Sequence, residues 1–146
     1  MKIDWIVAAL VLAAVLPAGH LSAAEHEVKM LNTGAGGAMV FEPALLRIQP
    51  GDTVTFRAVH KGHNAQTLDV VRPDGGVSFR GKINEEVSVS FDKPGLYGYE
   101  CKPHYGLGMV GLIVVGAPSA NLDAAKSATF RGKAKERFEA LLKQIN

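Results

Sequence analysis

From residue 28 onward, apolar side chains recur in short runs of period two, separated by glycine and proline turns. Residues 28–31, 39–41, 45–49, 53–59 and 86–91 fit this pattern. In the last of these, Val87, Val89 and Phe91 face one way and Glu86, Ser88 and Ser90 the other. Residues 96–100 and 109–115 are two further strand candidates, and 67–71 a shorter one. Turn signals stand at Pro50-Gly51-Asp52, Pro73-Asp74-Gly75-Gly76 and Lys93-Pro94-Gly95, while residues 60–64 are polar and loop-like. Short strands at this spacing predict a Greek-key sandwich or barrel rather than a parallel sheet.

After Pro118 the period changes. Asn121 is a good N-cap for a helix over residues 122–128. From Lys133, the apolar Ala134, Phe138, Leu141, Leu142 and Ile145 fall on one helical face, with most of the charged residues elsewhere. This predicts a helical tail, starting at about residue 121, that packs on the β domain. No repeat or long linker divides the chain, so residues 24–146 form one domain.

The amino-terminal stretch is different in kind. Lys2 precedes an uncharged apolar run, residues 5–16, which Pro17 and Gly19 break before the small residues Ser22, Ala23 and Ala24. The run is shorter than the roughly 20 residues a membrane-spanning helix needs, and its end suits a signal peptidase. Residues 1–23 are therefore expected to be a cleaved export signal, with cut sites after Ala23 and after Ala24 fitting equally well. The mature chain is expected in the periplasm, with no membrane span.

Composition narrows the function. The 16 glycines suit a turn-rich β chain, and a formal net charge of +2 is too small to argue for nucleic acid. One cysteine, Cys101, cannot form an internal disulfide. In an oxidising compartment such a thiol is a liability unless it is buried, catalytic, paired to another chain or bound to metal. Its neighbours point to metal. Cys101-Lys102-Pro103-His104-Tyr105-Gly106-Leu107-Gly108-Met109 brings a thiol, an imidazole and a thioether within nine residues, on a loop between two strand candidates. These soft and borderline donors suit copper. One more imidazole would complete a His-His-Cys set with a distant axial methionine, and His63, in the loop Lys61-Gly62-His63-Asn64, is the natural candidate. Each residue alone is more simply a core or loop residue; together they are hard to explain separately. His26 and His60 carry no such pattern, and His60 reads as an exposed loop residue. Met30 reads as core.

These motifs resemble those of the cupredoxins, and in particular the pseudoazurin branch of that family. The likeness covers nearly all of the mature chain. It includes Gly37-Ala38-Met39-Val40-Phe41-Glu42-Pro43, Pro50-Gly51-Asp52-Thr53-Val54, Lys61-Gly62-His63-Asn64, Lys82-Ile83-Asn84-Glu85, the stretch from Cys101 to Met109, and the tail from Asn121-Leu122-Asp123. The resemblance implies an all-β, cupredoxin-like Greek-key sandwich of about eight strands with a C-terminal pair of α-helices. It implies one type 1 copper ion held strongly by His63, Cys101 and His104 and weakly by Met109. It implies supporting roles for Asn64, which bonds across to the cysteine loop, for Met39 beside the exposed histidine, and for Pro103, which lacks an amide donor near the sulfur.

The function that follows from the resemblance is that of a monomeric periplasmic electron carrier, not an enzyme. Electrons would pass through the His104 edge, ringed by Met39, Pro43, Gly106 and Leu107. Lys61, Arg80, Lys82 and Lys102 are the candidates for steering an acidic partner. The implied acceptor is a copper nitrite reductase or another periplasmic redox enzyme, and the implied donor a cytochrome c or a quinol-oxidising complex. Glu100 departs from the family, which often has a lysine before the ligand cysteine; Lys102 restores a charge two positions on. Two other classes compete: a thiol enzyme with Cys101 as nucleophile and His104 as base, and a copper-delivery protein. No activating third residue supports the first, and the second relies on several Met or Cys donors where this chain has one mixed set.

Overall fold

The computed structural model of the chain describes residues 22–145. His20 and all but the last two residues of the expected export signal lie outside the described residues. Eight strands form two four-stranded sheets: β1 (Glu25–Gly34), β2 (Gly37–Glu42), β3 (Leu45–Ile48), β4 (Asp52–Arg57), β5 (Gln66–Thr67), β6 (Val87–Phe91), β7 (Gly95–Glu100) and β8 (Val110–Val115). The first sheet runs β2-β1-β4-β6 and the second β3-β8-β7-β5. Most pairs are antiparallel, but β1 runs parallel to β4 and β3 parallel to β8.

The burial pattern of each strand follows its place. In the first sheet one face is wet, so β4 and β6 alternate: Val54, Phe56, Val89 and Phe91 are buried, and Thr53 and Thr55 bond across to Ser90 and Ser88 on the outer face. In the second sheet β7 and β8 are buried along their whole length. Their inner faces meet the first sheet through Tyr97, Tyr99, Ile113 and Val115. Their outer faces carry Leu96, Val110, Leu112 and Val114, which the tail covers. That double burial explains the unbroken apolar run 112–115.

The tail consists of α1 (Leu122–Ser127) and α2 (Gly132–Leu142). Ala134, Phe138, Leu141 and Leu142 of α2 are buried against the second sheet, and Ile145 is buried just past the helix. Phe138 stacks on Phe130 with ring centroids 4.4 Å apart. Two expectations need correction. Asn121 does not cap α1 with its side chain; its amide pairs with both backbone groups of Leu96, accepting from N–H at 2.8 Å and donating to C=O at 2.9 Å. The edge of β7 there offers a matched donor and acceptor, and the side chain takes both. The strand expected over 67–71 ends at Thr67 and turns into a short 3-10 helix, Asp69–Val71, which buries Val71.

Asp52 fastens the start of the described chain to the sandwich. It is 5% exposed and accepts from the Ala24 and Gln49 N–H groups at 2.8 and 2.9 Å, and it meets His26 Nε2 at 2.8 Å. The two backbone donors, then His26, pull its pKa down to about 2. A carboxyl with a depressed folded-state pKa stabilises the fold above its ordinary pKa, and that contribution is lost as pH falls toward the folded value. Urea unfolding should therefore show stability falling between about pH 4 and about pH 2, with a shallower slope over that window in Asp52→Asn.

Candidate metal centre

Two loops at one end of the sandwich supply the site. The first follows β4. Here His63 is fully buried, and its carbonyl accepts from the Asn84 N–H at 2.8 Å. Asn84, with φ +64°, also accepts the Gly62 N–H on its side chain at 2.7 Å, so one residue holds both sides of the turn. The second loop joins β7 to β8 as a 3-10 turn, Lys102–Leu107, with Pro103 at its start. It closes on itself: Cys101 N–H donates to the Met109 carbonyl at 3.0 Å, and Met109 N–H donates to the His104 carbonyl at 3.1 Å. Gly108 reverses the chain with φ +87°, a conformation that costs glycine little.

Three donor atoms converge there. Cys101 Sγ lies 3.7 Å from His63 Nδ1 and 3.4 Å from His104 Nδ1, and the two nitrogens are 3.1 Å apart. A circle through the three atoms has a radius of about 2 Å, the length of a metal–nitrogen or metal–sulfur bond. Cys101 and His63 are fully buried and His104 is half-buried, so one edge of the group reaches the surface. Met109 is fully buried in the same core cluster as Cys101. Two imidazoles, a thiol and a neighbouring thioether fit one type 1 copper ion, which takes strong nitrogen and thiolate donors and a weak axial one.

The surroundings hold each donor ready. His63 Nε2 donates to Asn32 Oδ1 at 2.7 Å, which leaves Nδ1 with a bare lone pair facing the sulfur. Burial, then the facing His104 and His60, push the His63 pKa down, so this imidazole stays neutral. Burial pushes the Cys101 thiol pKa up, and the charge of Glu100 adds to that; the backbone N–H groups of Asn64 and His104 pull the other way. A thiol raised in this way is not an activated nucleophile.

Asn64 is buried, and its Oδ1 accepts from the Lys102 N–H at 2.7 Å. Met39, with φ +51°, is half-buried against the core. Pro103, Arg80, Lys82 and Lys102 line one shallow groove with Ile83, whose side chain is half exposed. Lys61 is exposed but does not line that groove. Glu100 is buried and accepts from Gln66 Nε2 at 2.8 Å, while Lys102 is exposed. His60 is more than an exposed loop residue, because its Nδ1 accepts from the Asn32 N–H at 2.9 Å and so steadies the residue that orients His63.

Asn32, Asn84 and Gln66 were not singled out from the sequence as site residues. Their roles depend on which strands and loops become neighbours, and no local spacing announces that. Asn32→Ala should keep the fold but leave His63 Nε2 without its acceptor, weakening metal binding about 10- to 100-fold in a chelator competition.

The tail braces both β2 and the second loop. The Arg137 guanidinium donates to the Ala38 and Met39 carbonyls at 3.2 Å, and the Arg131 N–H reaches the Tyr105 hydroxyl at 3.4 Å. Gly132, with φ +59°, lies so close to the loop that a Cβ there would stand 3.2 Å from the Gly106 carbonyl.

The family model for copper binding proteins of the plastocyanin/azurin family matches residues 28–116. Pseudoazurin of Paracoccus pantotrophus is 52% identical over 124 residues, which span 85% of this chain and 86% of that one. The pseudoazurin structure from Methylobacterium extorquens AM1 superposes with a TM-score of 0.80 at 47% identity, covering 84% of this chain and 99% of that one. The pseudoazurin from Hyphomicrobium denitrificans gives 0.79 at 40% identity, covering 84% and 98%. With a two-histidine, one-cysteine cluster at one end of an eight-stranded sandwich carrying a helical tail, the chain belongs to the pseudoazurin branch of the plastocyanin/azurin family of copper-binding electron carriers.

Proposed function

We propose that the chain is an exported electron carrier whose single type 1 copper is held by His63, Cys101 and His104, with Met109 as the weak axial ligand, and which delivers electrons to a copper nitrite reductase. The observation that carries the metal assignment is the triangle of donor atoms with sides of 3.1, 3.4 and 3.7 Å. Bound there, copper supplies one-electron exchange between Cu(I) and Cu(II). The protein's part is to hold borderline and soft donors that suit both states, so that little has to move. His104 is the ligand whose ring reaches the surface, and it is the route by which a partner's electron would enter or leave.

The surface beside it supports brief docking. Leu107 is 50% exposed, and Pro43 and Gly106 are exposed around the loop, so a partner can approach without stranding desolvated charge. Arg80, Lys82 and Lys102 border this area in one groove and suit an acidic partner. Lys61 adds a charge outside that groove. Residues 1–23 are the proposed export signal, and the mature carrier works in the periplasm as a monomer, reduced by a cytochrome c or a quinol-oxidising complex. The same surface would serve another periplasmic redox enzyme, and kinetics with purified partners separates the two.

The protein purified with copper should be blue or green and bleach reversibly with ascorbate. Cys101→Ser should abolish the colour, because the charge-transfer band belongs to the thiolate. Met109→Gln should keep copper and colour while shifting the reduction potential; loss of copper from that variant would remove Met109 from the axial position. Stopped-flow reduction of a nitrite reductase should slow steeply as salt rises, since steering of this kind raises on-rates roughly 10- to 1,000-fold at low ionic strength. A flat salt response would remove the basic groove from the docking scheme.

A further inference from the structure

Glu100 is a buried carboxylate that neither the donor triangle nor the docking groove uses. It stands on β7 directly before Cys101, opposite Gln66 of β5 in the register of the second sheet. Gln66 Nε2 donates to Glu100 Oε1 at 2.8 Å. Gln66 Oε1 accepts from Asn64 Nδ2 at 3.1 Å, and the same Nδ2 also donates to the Gly81 carbonyl at 3.1 Å. Asn64 Oδ1 is then left to accept from the Lys102 N–H at 2.7 Å, the first amide after Cys101.

An amide side chain can present either its oxygen or its nitrogen to a neighbour, so a run of two amides has a direction that something at its end must choose. An ionised carboxylate only accepts hydrogen bonds. Facing Glu100, Gln66 has to turn its nitrogen outward and its oxygen toward Asn64. Asn64 then has to offer its nitrogen to Gln66 and its oxygen to the ligand loop. The Gly81 carbonyl, also acceptor only, favours the same direction. We propose that Glu100 is a positioning residue for the metal centre. It fixes the direction of the run Glu100–Gln66–Asn64–Lys102 and thereby makes Asn64 an acceptor toward the loop that carries Cys101 and His104. This inference rests on the copper reading for its functional meaning, but the direction of the run is a property of the metal-free chain as well.

The test follows the polarity. Glu100→Lys puts a donor where an acceptor stood, so Gln66 has to reverse and its nitrogen then confronts Asn64 Nδ2. Adding Gln66→Glu gives one carboxylate that accepts from both the new ammonium and Asn64, which restores the original direction. Hydrogen exchange at the Lys102 amide, read in the metal-free full chain, should become about tenfold faster in Glu100→Lys and return to its original rate in the double variant. In the copper-loaded chain the thiolate absorption band should shift and return in parallel.

Should the buried ammonium unfold the chain, Glu100→Met and Glu100→Gln carry the test. The first gives Gln66 no oxygen acceptor, which leaves the Gly81 carbonyl alone to favour the direction, and Lys102 exchange rises. The second can still turn its carbonyl to Gln66, and exchange stays at the original rate. Equal rates in these two variants, or a double variant that fails to recover, would overturn the proposal. A colourless copper-supplied parent chain would instead count against the copper reading, while the exchange pattern decides the polarity separately.

Discussion

Holding three electron-rich atoms face to face is the demand on which the rest of this structure turns. Two imidazole nitrogens and a sulfur stand 3.1 to 3.7 Å apart, and in the metal-free chain only weak hydrogen bonds among them hold the arrangement together. Every neighbouring contact limits the freedom of those atoms to turn away. Asn32 takes the one proton His63 has to give, the closed hydrogen-bonded ring from Cys101 to Met109 keeps the second loop tight, and Asn64 ties the two loops to each other. A site built in this way is ready before an ion arrives, and strain-free exchange of one electron needs that readiness.

The fold supplies the stiffness. The second sheet is covered on both faces, by the first sheet through Tyr97, Tyr99 and Ile113 and by the tail through Leu112, Val114 and Phe138. The second loop therefore springs from strands that cannot shift without disturbing two cores, and the first bridges the two sheets, from β4 to β5. Burial also sets the chemistry: it keeps His63 neutral and disfavours an exposed, reactive thiolate in the metal-free chain. The same burial that suits a metal ligand speaks against a thiol enzyme, because a catalytic cysteine needs its pKa lowered, not raised.

Much of this was legible in the sequence, for identifiable reasons. Alternation over 86–91 and the unbroken run 112–115 reflect one wet face and two dry ones, and the strands follow. The three donors that meet are those picked out by the spacing in the cysteine loop and by the position of His63 between strands. What the sequence hid depends on register and side-chain competition. Asn32 reaches His63 only because β1 runs beside the β4 loop. Asn121 has the composition of a cap, but a paired edge at Leu96 offers its amide two bonds where the helix offered one. The burial of Glu100 and its bond to Gln66 likewise depend on which residue of β5 lies opposite it in the sheet.

The grip of Arg137 on the carbonyls of Ala38 and Met39 spans 99 and 98 positions of the chain. Both ligand loops, residues 60–64 and 101–109, lie between those two ends, so the contact closes a stretch of chain that contains them. The centre thus depends on contacts far apart in sequence, because one arginine ties β2 to the helix that lies against the second loop.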